Sequence, residues 1–188
     1  MNNKILDPWY TENLVCPIDK EKLKLVDNYL ICSKNKHKFL IYKNIPIMLV
    51  DEYIPNKNNF TKKSLDLIKE NKSLEDYSNK NLEKHEIDEH VQKVVAATNS
   101  NFYKNVVGKL EKYPIPNFPL RKSKGNLLLD IGCGWGRWTI SSCNSGFQSV
   151  GIDPSIKSVL AARKVAKQLG INSRFIVGDA CYMPFKEN

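Results

Sequence analysis

The chain has 188 residues, 41% of them hydrophobic and 26% charged, enough for a core and for about one or two domains. No apolar run approaches membrane-spanning length and the start, Met1-Asn2-Asn3-Lys4-Ile5-Leu6-Asp7, lacks the apolar stretch of a secretory signal, so a cytoplasmic protein with no membrane partner is expected. The net charge of +9 divides as +2 over residues 1–60, +4 over 61–125 and +3 over 126–188, and only four basic residues are Arg; with no basic cluster, a solvated surface explains the charge better than a nucleic-acid face.

Residues 12–52 read as a small β-rich module. Leu23-Lys24-Leu25-Val26 and Tyr29-Leu30-Ile31-Cys32 flank Asp27-Asn28, a hairpin turn, while Phe39-Leu40-Ile41-Tyr42 and Ile47-Met48-Leu49-Val50 bracket Lys43-Asn44-Ile45-Pro46. Residues 53–125 read as linker and helical cap. The polar stretch from Pro55 to His90 is linker or exposed helix, and a better helical pattern runs through Val91, Val94, Val95 and Thr98. Tyr113-Pro114-Ile115-Pro116-Asn117-Phe118-Pro119 cannot continue a helix, because each Pro lacks a donor and restricts the residue before it. A domain entrance is expected there.

From Asn126 the pattern alternates strand and helix. Leu127-Leu128-Leu129-Asp130-Ile131 is a buried-type strand, Trp135 to Ser145 a helix ended by Gly146, and Ser149-Val150-Gly151-Ile152-Asp153 a second strand. Ser155 can cap a helix with Ile156, Val159, Leu160, Ala166 and Leu169 on its apolar face; Gly170 stops it before the strand Arg174-Phe175-Ile176-Val177. The fold class is α/β: a partial Rossmann-like parallel sheet of three strands, with ligands beyond the strands' carboxyl ends.

The stretch Asp130-Ile131-Gly132-Cys133-Gly134-Trp135-Gly136 sets alternating glycines between a strand and a helix, where missing β-carbons let a ligand lie on the backbone. Arg137 occupies the place where a dinucleotide fingerprint wants its third glycine, and Asp130 discourages a pyrophosphate, so a cationic ligand is preferred. Asp153 can accept from both ribose hydroxyls of a nucleoside over this loop. Asp179 can accept from an adenine amino group, and the amide of Ala180 or Cys181 can donate to a ring nitrogen.

Leu128-Leu129-Asp130-Ile131-Gly132-Cys133-Gly134-Trp135-Gly136, then Gly151-Ile152-Asp153-Pro154-Ser155, then Val177-Gly178-Asp179-Ala180 with Met183-Pro184-Phe185, resembles the class I S-adenosylmethionine-dependent methyltransferases of the type-11 kind. The resemblance implies S-adenosylmethionine as cofactor: Asp130, Gly132, Cys133, Gly134 and Gly136 border its methionine part, Asp153 and Pro154 the ribose, and Asp179 with Ala180 the adenine. It also implies a seven-stranded sheet of which residues 126–188 supply three strands. The chain is therefore expected to lack the acceptor side, to bind cofactor weakly and to show no turnover alone.

Leu14-Val15-Cys16-Pro17-Ile18-Asp19-Lys20-Glu21-Lys22-Leu23, with Leu30-Ile31-Cys32 and Ile45-Pro46-Ile47-Met48-Leu49, resembles the zinc-ribbon-like activator proteins of methyltransferases. Such a ribbon wants two Cys-x-x-Cys knuckles, but Asp19 and Asn35 stand at the second positions. Cys16, Asp19, Cys32 and His37 are the candidate ligands of a mixed site. Asn35 is a poor ligand and His37 is displaced by two residues, so a metal-free ribbon is the expectation over one holding zinc. Cys133, Cys143 and Cys181 complete an odd set of five, read as reduced packing residues. His85 and His90, five apart, do not share a helix face as a metalloprotease pair must, and read as part of a solvated segment. Val91 to Tyr113, with Thr98, Asn99, Phe102 and Tyr103, reads equally as a lid over the nucleoside or as a packing helix.

The expectation is methyl transfer to a small-molecule acceptor. Its rivals are an RNA methyltransferase, favoured by the net charge and the ribbon, and a noncatalytic adaptor, which the presence of Asp130, Asp153 and Asp179 opposes.

Overall fold

The structure is a computed structural model that describes residues 6–51, 59–70, 87–97, 105 and 108–186. It begins with a helix the sequence reading does not include. In α1 (Pro8–Asn13) the Asp7 carboxylate accepts from the Trp9 amide at 3.0 Å and proline opens the first turn.

Four antiparallel strands follow in the order β1 (Leu23–Val26), β2 (Tyr29–Cys32), β3 (Lys38–Tyr42) and β4 (Ile45–Pro46). The first turn lies at Asp27-Asn28, with Val26 opposite Tyr29. The turn between β3 and β4 is tighter than the four residues predicted. Lys43 and Asn44 adopt φ of 48° and 62°, closing the hairpin in two residues and setting Tyr42 opposite Ile45. Ile47 still donates its amide to the Leu40 carbonyl of β3 at 2.8 Å, and the segment Ile47–Val50 then runs along the second sheet. All four of its residues are buried, and Ile47 bridges in parallel to Val177 while the Met48 amide donates to the Val177 carbonyl at 2.7 Å.

The second sheet is parallel, in the order β5 (Leu127–Ile131), β6 (Gln148–Asp153) and β7 (Arg174–Val177). Helix α4 (Arg137–Asn144) joins the first pair of strands and α5 (Ile156–Gln168) the second. Ser155 caps α5 as expected, accepting from the Ser158 amide at 3.3 Å. The buried face of α5 is Ile156, Val159, Ala161, Ala162, Val165 and Ala166, with Leu160 packed against the same core; of the stripe read in the sequence only Leu169, past the last turn, is exposed. One core lies between the sheet and its helices, with Phe175 and Val177 pointing into it. A second lies on the ribbon side, where Leu30, Phe39 and Met48 pack with Val150, Ile152 and Ile176. Alternate residues along β6 and β7 thus feed opposite layers.

Strand β5 departs from the buried type expected of it, with Leu127, Leu129 and Ile131 at 61%, 39% and 57% exposure. It is an edge strand, and nothing among the described residues pairs with its outer side. The opposite edge is covered. Outward backbone groups of β7 need partners. The Tyr10 hydroxyl donates to the Phe175 carbonyl and accepts from its amide, both at 3.1 Å, and Arg174 bonds Asp7 at 2.8 Å. Tyr10→Phe strands two buried groups of β7 and is expected to cost about 1–3 kcal/mol, read as a lower urea midpoint.

Two further helices flank the carboxyl ends of the strands. Helix α2 (Asn59–Lys69) falls where the sequence suggests linker or exposed helix, yet it buries Thr61, Ser64 and Leu65. Helix α3 (Glu89–Ala96) is capped by Asp88, which accepts from the Val91 amide at 3.1 Å and pairs with Lys164 at 2.6 Å. The histidine pair is split, with His85 outside the described residues and His90 in α3. Thr98, Asn99, Phe102 and Tyr103 likewise lie outside the described residues. No helix among the described residues is long and apolar enough to cross a membrane.

Candidate cofactor site

The loop between β5 and α4 is tied to the end of β6. The amides of Gly132 and Cys133 both donate to the Ile152 carbonyl, at 2.8 and 3.1 Å, and the Gly134 amide donates to Asp153 Oδ2 at 3.0 Å. The other Asp153 oxygen accepts from the Ser155 amide at 2.8 Å. Asp130 is fixed from below, its Oδ2 accepting from the buried hydroxyl of Thr139 at 2.7 Å. Both carboxylates have one settled orientation.

The three loop glycines divide by role. Gly132 and Gly134 have φ of 73° and 54°, and a β-carbon at either meets nothing within 4 Å: their open side faces free space. Gly136, at φ 80°, faces inward, where a β-carbon lies 2.9 Å from that of Ala162 and 3.0 Å from the Phe175 ring. Cys133 also points into the core, and burial, with the charges of Asp153 and Asp130, pushes its thiol well above the ordinary range. It is no nucleophile.

Above the bare backbone lies a cleft of about 510 Å³, lined by Gly132, Gly134, Trp135, Asp153 and Pro154 and, opposite, by Phe60 of α2 and Lys93, Val94 and Ala97 at α3. The α3 end of the proposed lid thus borders the cleft. Burial pushes the Asp153 carboxyl above the usual carboxylate range; the Ser155 and Gly134 amides oppose this, and the neighbouring Asp130 charge adds to it. One carboxylate, Asp153, and an open backbone suit a ligand with hydroxyl donors. Asp130 and Asp179 do not line the cleft. Asp179 Oδ1 accepts from the Cys181 amide at 3.0 Å and Oδ2 from the Thr61 hydroxyl at 2.8 Å, so the Cys181 amide is already used.

In the ribbon, Cys16, Asp19, Cys32 and His37 bring four donor atoms within 4.8 Å of one another. Cys16 Sγ lies 3.3 Å from His37 Nδ1, Cys32 Sγ 3.3 Å from Asp19 Oδ2, and His37 Nδ1 3.5 Å from the same oxygen. Ligand bonds of about 2.0–2.3 Å in a tetrahedron place donors roughly this far apart, so the set fits zinc in spacing and chemistry. Asn35 instead donates to Asp19 at 2.8 Å, and the turn at Lys36 (φ 60°) brings His37 to the position left open.

Residues 128–188 match the family model described as a methyltransferase domain. By that match this part of the molecule is a methyltransferase domain. A UPF0434 protein of Ehrlichia ruminantium (strain Gardel) is 50% identical over 50 residues, 26% of this chain and 91% of that protein. By that stretch the chain belongs to the UPF0434 family. Among solved structures, the MccD protein is 35% identical over 35% of this chain and 30% of its own, with a TM-score of 0.33. Magnesium protoporphyrin IX methyltransferase from Synechocystis PCC 6803, solved with bound S-adenosylmethionine, is 18% identical over 68% of this chain and 45% of its own, with a TM-score of 0.27. The chain spans less than half the length of either.

Proposed function

We propose that the protein transfers a methyl group from S-adenosylmethionine to a small-molecule acceptor. One observation carries the reading: Gly132 and Gly134 turn bare backbone toward an open cleft beside the oriented carboxylate of Asp153. Asp153 accepts from the ribose hydroxyls; Asp130 and Asp179, outside the present lining of the cleft, are the proposed partners of the ammonium and, with the Ala180 amide, of the adenine. The cofactor supplies a methyl carbon already activated by its sulfonium, so alignment and exclusion of water are the protein's main tasks. Trp135, Val94 and Pro154 give the cleft its dry walls. Scarce Arg and dispersed Lys support a small acceptor over RNA, and salt-insensitive failure to retain tRNA checks this. Calorimetric titration of the chain with S-adenosylmethionine and S-adenosylhomocysteine tests the cofactor site: saturable binding of both is expected, and binding of neither favours a noncatalytic scaffold.

The raised Asp153 carboxyl gives this binding a pH signature. The ionised form accepts the ribose hydroxyls, so affinity for S-adenosylhomocysteine is expected to fall on mild acidification, starting above the pH at which an ordinary Asp titrates. A carboxyl whose folded value lies above its unfolded one favours the fold when protonated and loses that contribution as pH rises through the folded value. Mild acid therefore weakens the ligand without unfolding the protein through this group, which calorimetry and circular dichroism across the same buffers separate.

Cys16, Asp19, Cys32 and His37 of the ribbon are proposed to hold a structural zinc. Metal analysis is expected to find one equivalent. Cobalt substitution should give thiolate charge-transfer absorption that His37→Ala alters; metal-free purified protein removes this proposal.

A further inference from the structure

Helix α2 is anchored over the site by two buried hydroxyls. Ser64, 2% exposed, donates to the Pro154 carbonyl at 2.7 Å and accepts from the Ile156 amide at 3.0 Å, so it ties α2 to the turn after β6. Thr61, also 2% exposed, donates to Asp179 Oδ2 at 2.8 Å, tying the same helix to the turn after β7. Leu65 joins the core beside Val91 and Val95. Between the two anchored turns, Phe60 precedes Thr61 and presents its ring to the cleft that Gly134, Asp153 and Pro154 line, with 56% of the residue still exposed. An apolar residue this open, on a helix fastened on both sides, suits a flat apolar ligand.

We propose that α2 forms the adenine-side wall of the cofactor site, with Phe60 covering the base and Thr61 acting as a positioning residue for Asp179. The inference rests on the cofactor reading above. Asp179 is pinned through both oxygens, by the Cys181 amide and by Thr61, and each oxygen keeps a second lone pair. A carboxylate fixed in this way can only accept. It bonds a 6-amino group and repels a 6-oxo group, so Thr61 sets the choice between adenine and hypoxanthine. Freed from Thr61, the carboxylate can turn away from a 6-oxo base, and the discrimination relaxes.

The test titrates the full chain with S-adenosylhomocysteine and with S-inosylhomocysteine, in which a 6-oxo group replaces the amino group. The wild type is expected to prefer the adenosyl compound by at least about tenfold, since a site built to bond one polar group rejects its mismatch. Thr61→Val is expected to narrow that ratio about fivefold or more, while Thr61→Ser, which keeps the hydroxyl, retains it. Phe60→Ala should weaken both compounds by roughly five- to fiftyfold with their ratio unchanged, as loss of base stacking predicts. A wild-type ratio in Thr61→Val, or wild-type affinity in Phe60→Ala, overturns the proposal while the cofactor reading stands; a wild type that binds neither compound overturns both. If Thr61→Val does not fold, the exposed Phe60 position still decides the wall.

Discussion

Asp153→Asn is expected to weaken S-adenosylhomocysteine binding by about ten- to hundredfold with the fold retained, the loss typical of a charge-assisted hydrogen-bond acceptor. The carboxylate already accepts from two amides, Gly134 and Ser155, and keeps lone pairs for two ribose hydroxyls. An amide side chain has one acceptor oxygen, and its NH₂ faces donors wherever it turns. Removing the charge also makes the cleft less attractive to the ammonium-bearing ligand. Calorimetry measures the affinity and circular dichroism the fold; an unchanged dissociation constant in a folded variant would remove Asp153 from the site.

The second expectation pairs two glycines of one loop. Gly136→Ala is expected to destabilise the protein by about 2–4 kcal/mol, the sum of a left-handed backbone penalty and overpacking. Its methyl group would lie 2.9 Å from the β-carbon of Ala162 and 3.0 Å from the Phe175 ring, where core side chains have little room to yield. Gly132→Ala meets no such neighbour and should cost about 1–2 kcal/mol for its backbone conformation alone. Its methyl group instead enters the space over the loop and should abolish cofactor binding. Thermal denaturation with and without S-adenosylhomocysteine separates the two: Gly136→Ala lowers the midpoint, whereas Gly132→Ala loses the ligand-induced rise. A ligand-induced rise preserved in Gly132→Ala places the cofactor elsewhere.

The parallel sheet was legible because its signals are local. Strand, glycine turn and helix follow one another within a few residues, and the Arg174–Val177 strand and the Ser155 cap lie where the pattern puts them. The roles of the glycines were not. Gly132 and Gly136 look alike in sequence, and only the distant Ala162 and Phe175 show that one faces open space and the other the core. Thr61 and Ser64 read as solvent-facing residues of a polar segment, because their partners lie 118 and 90 positions away. Thr139, which orients Asp130, gave no signal beyond its place one turn into a helix. His37 reads as a candidate ligand displaced by two residues; the turn at Lys36 brings its ring within 3.3 Å of Cys16 Sγ. Ile47–Val50 reads as a ribbon strand by composition, and Ile47 keeps one bond to Leu40 of β3, yet the segment also pairs with β7, and no periodicity specifies a partner in another sheet.

The seam between the ribbon and β7 has a consequence for how the molecule responds to dilution. Since both sides belong to one polypeptide, each meets the other at an effective concentration on the order of millimolar, and assembly is first-order. The same bonds between separate chains would come apart as the solution thins. Here they persist at any concentration, and a foreign strand seeking that edge must compete with a tethered occupant already seated.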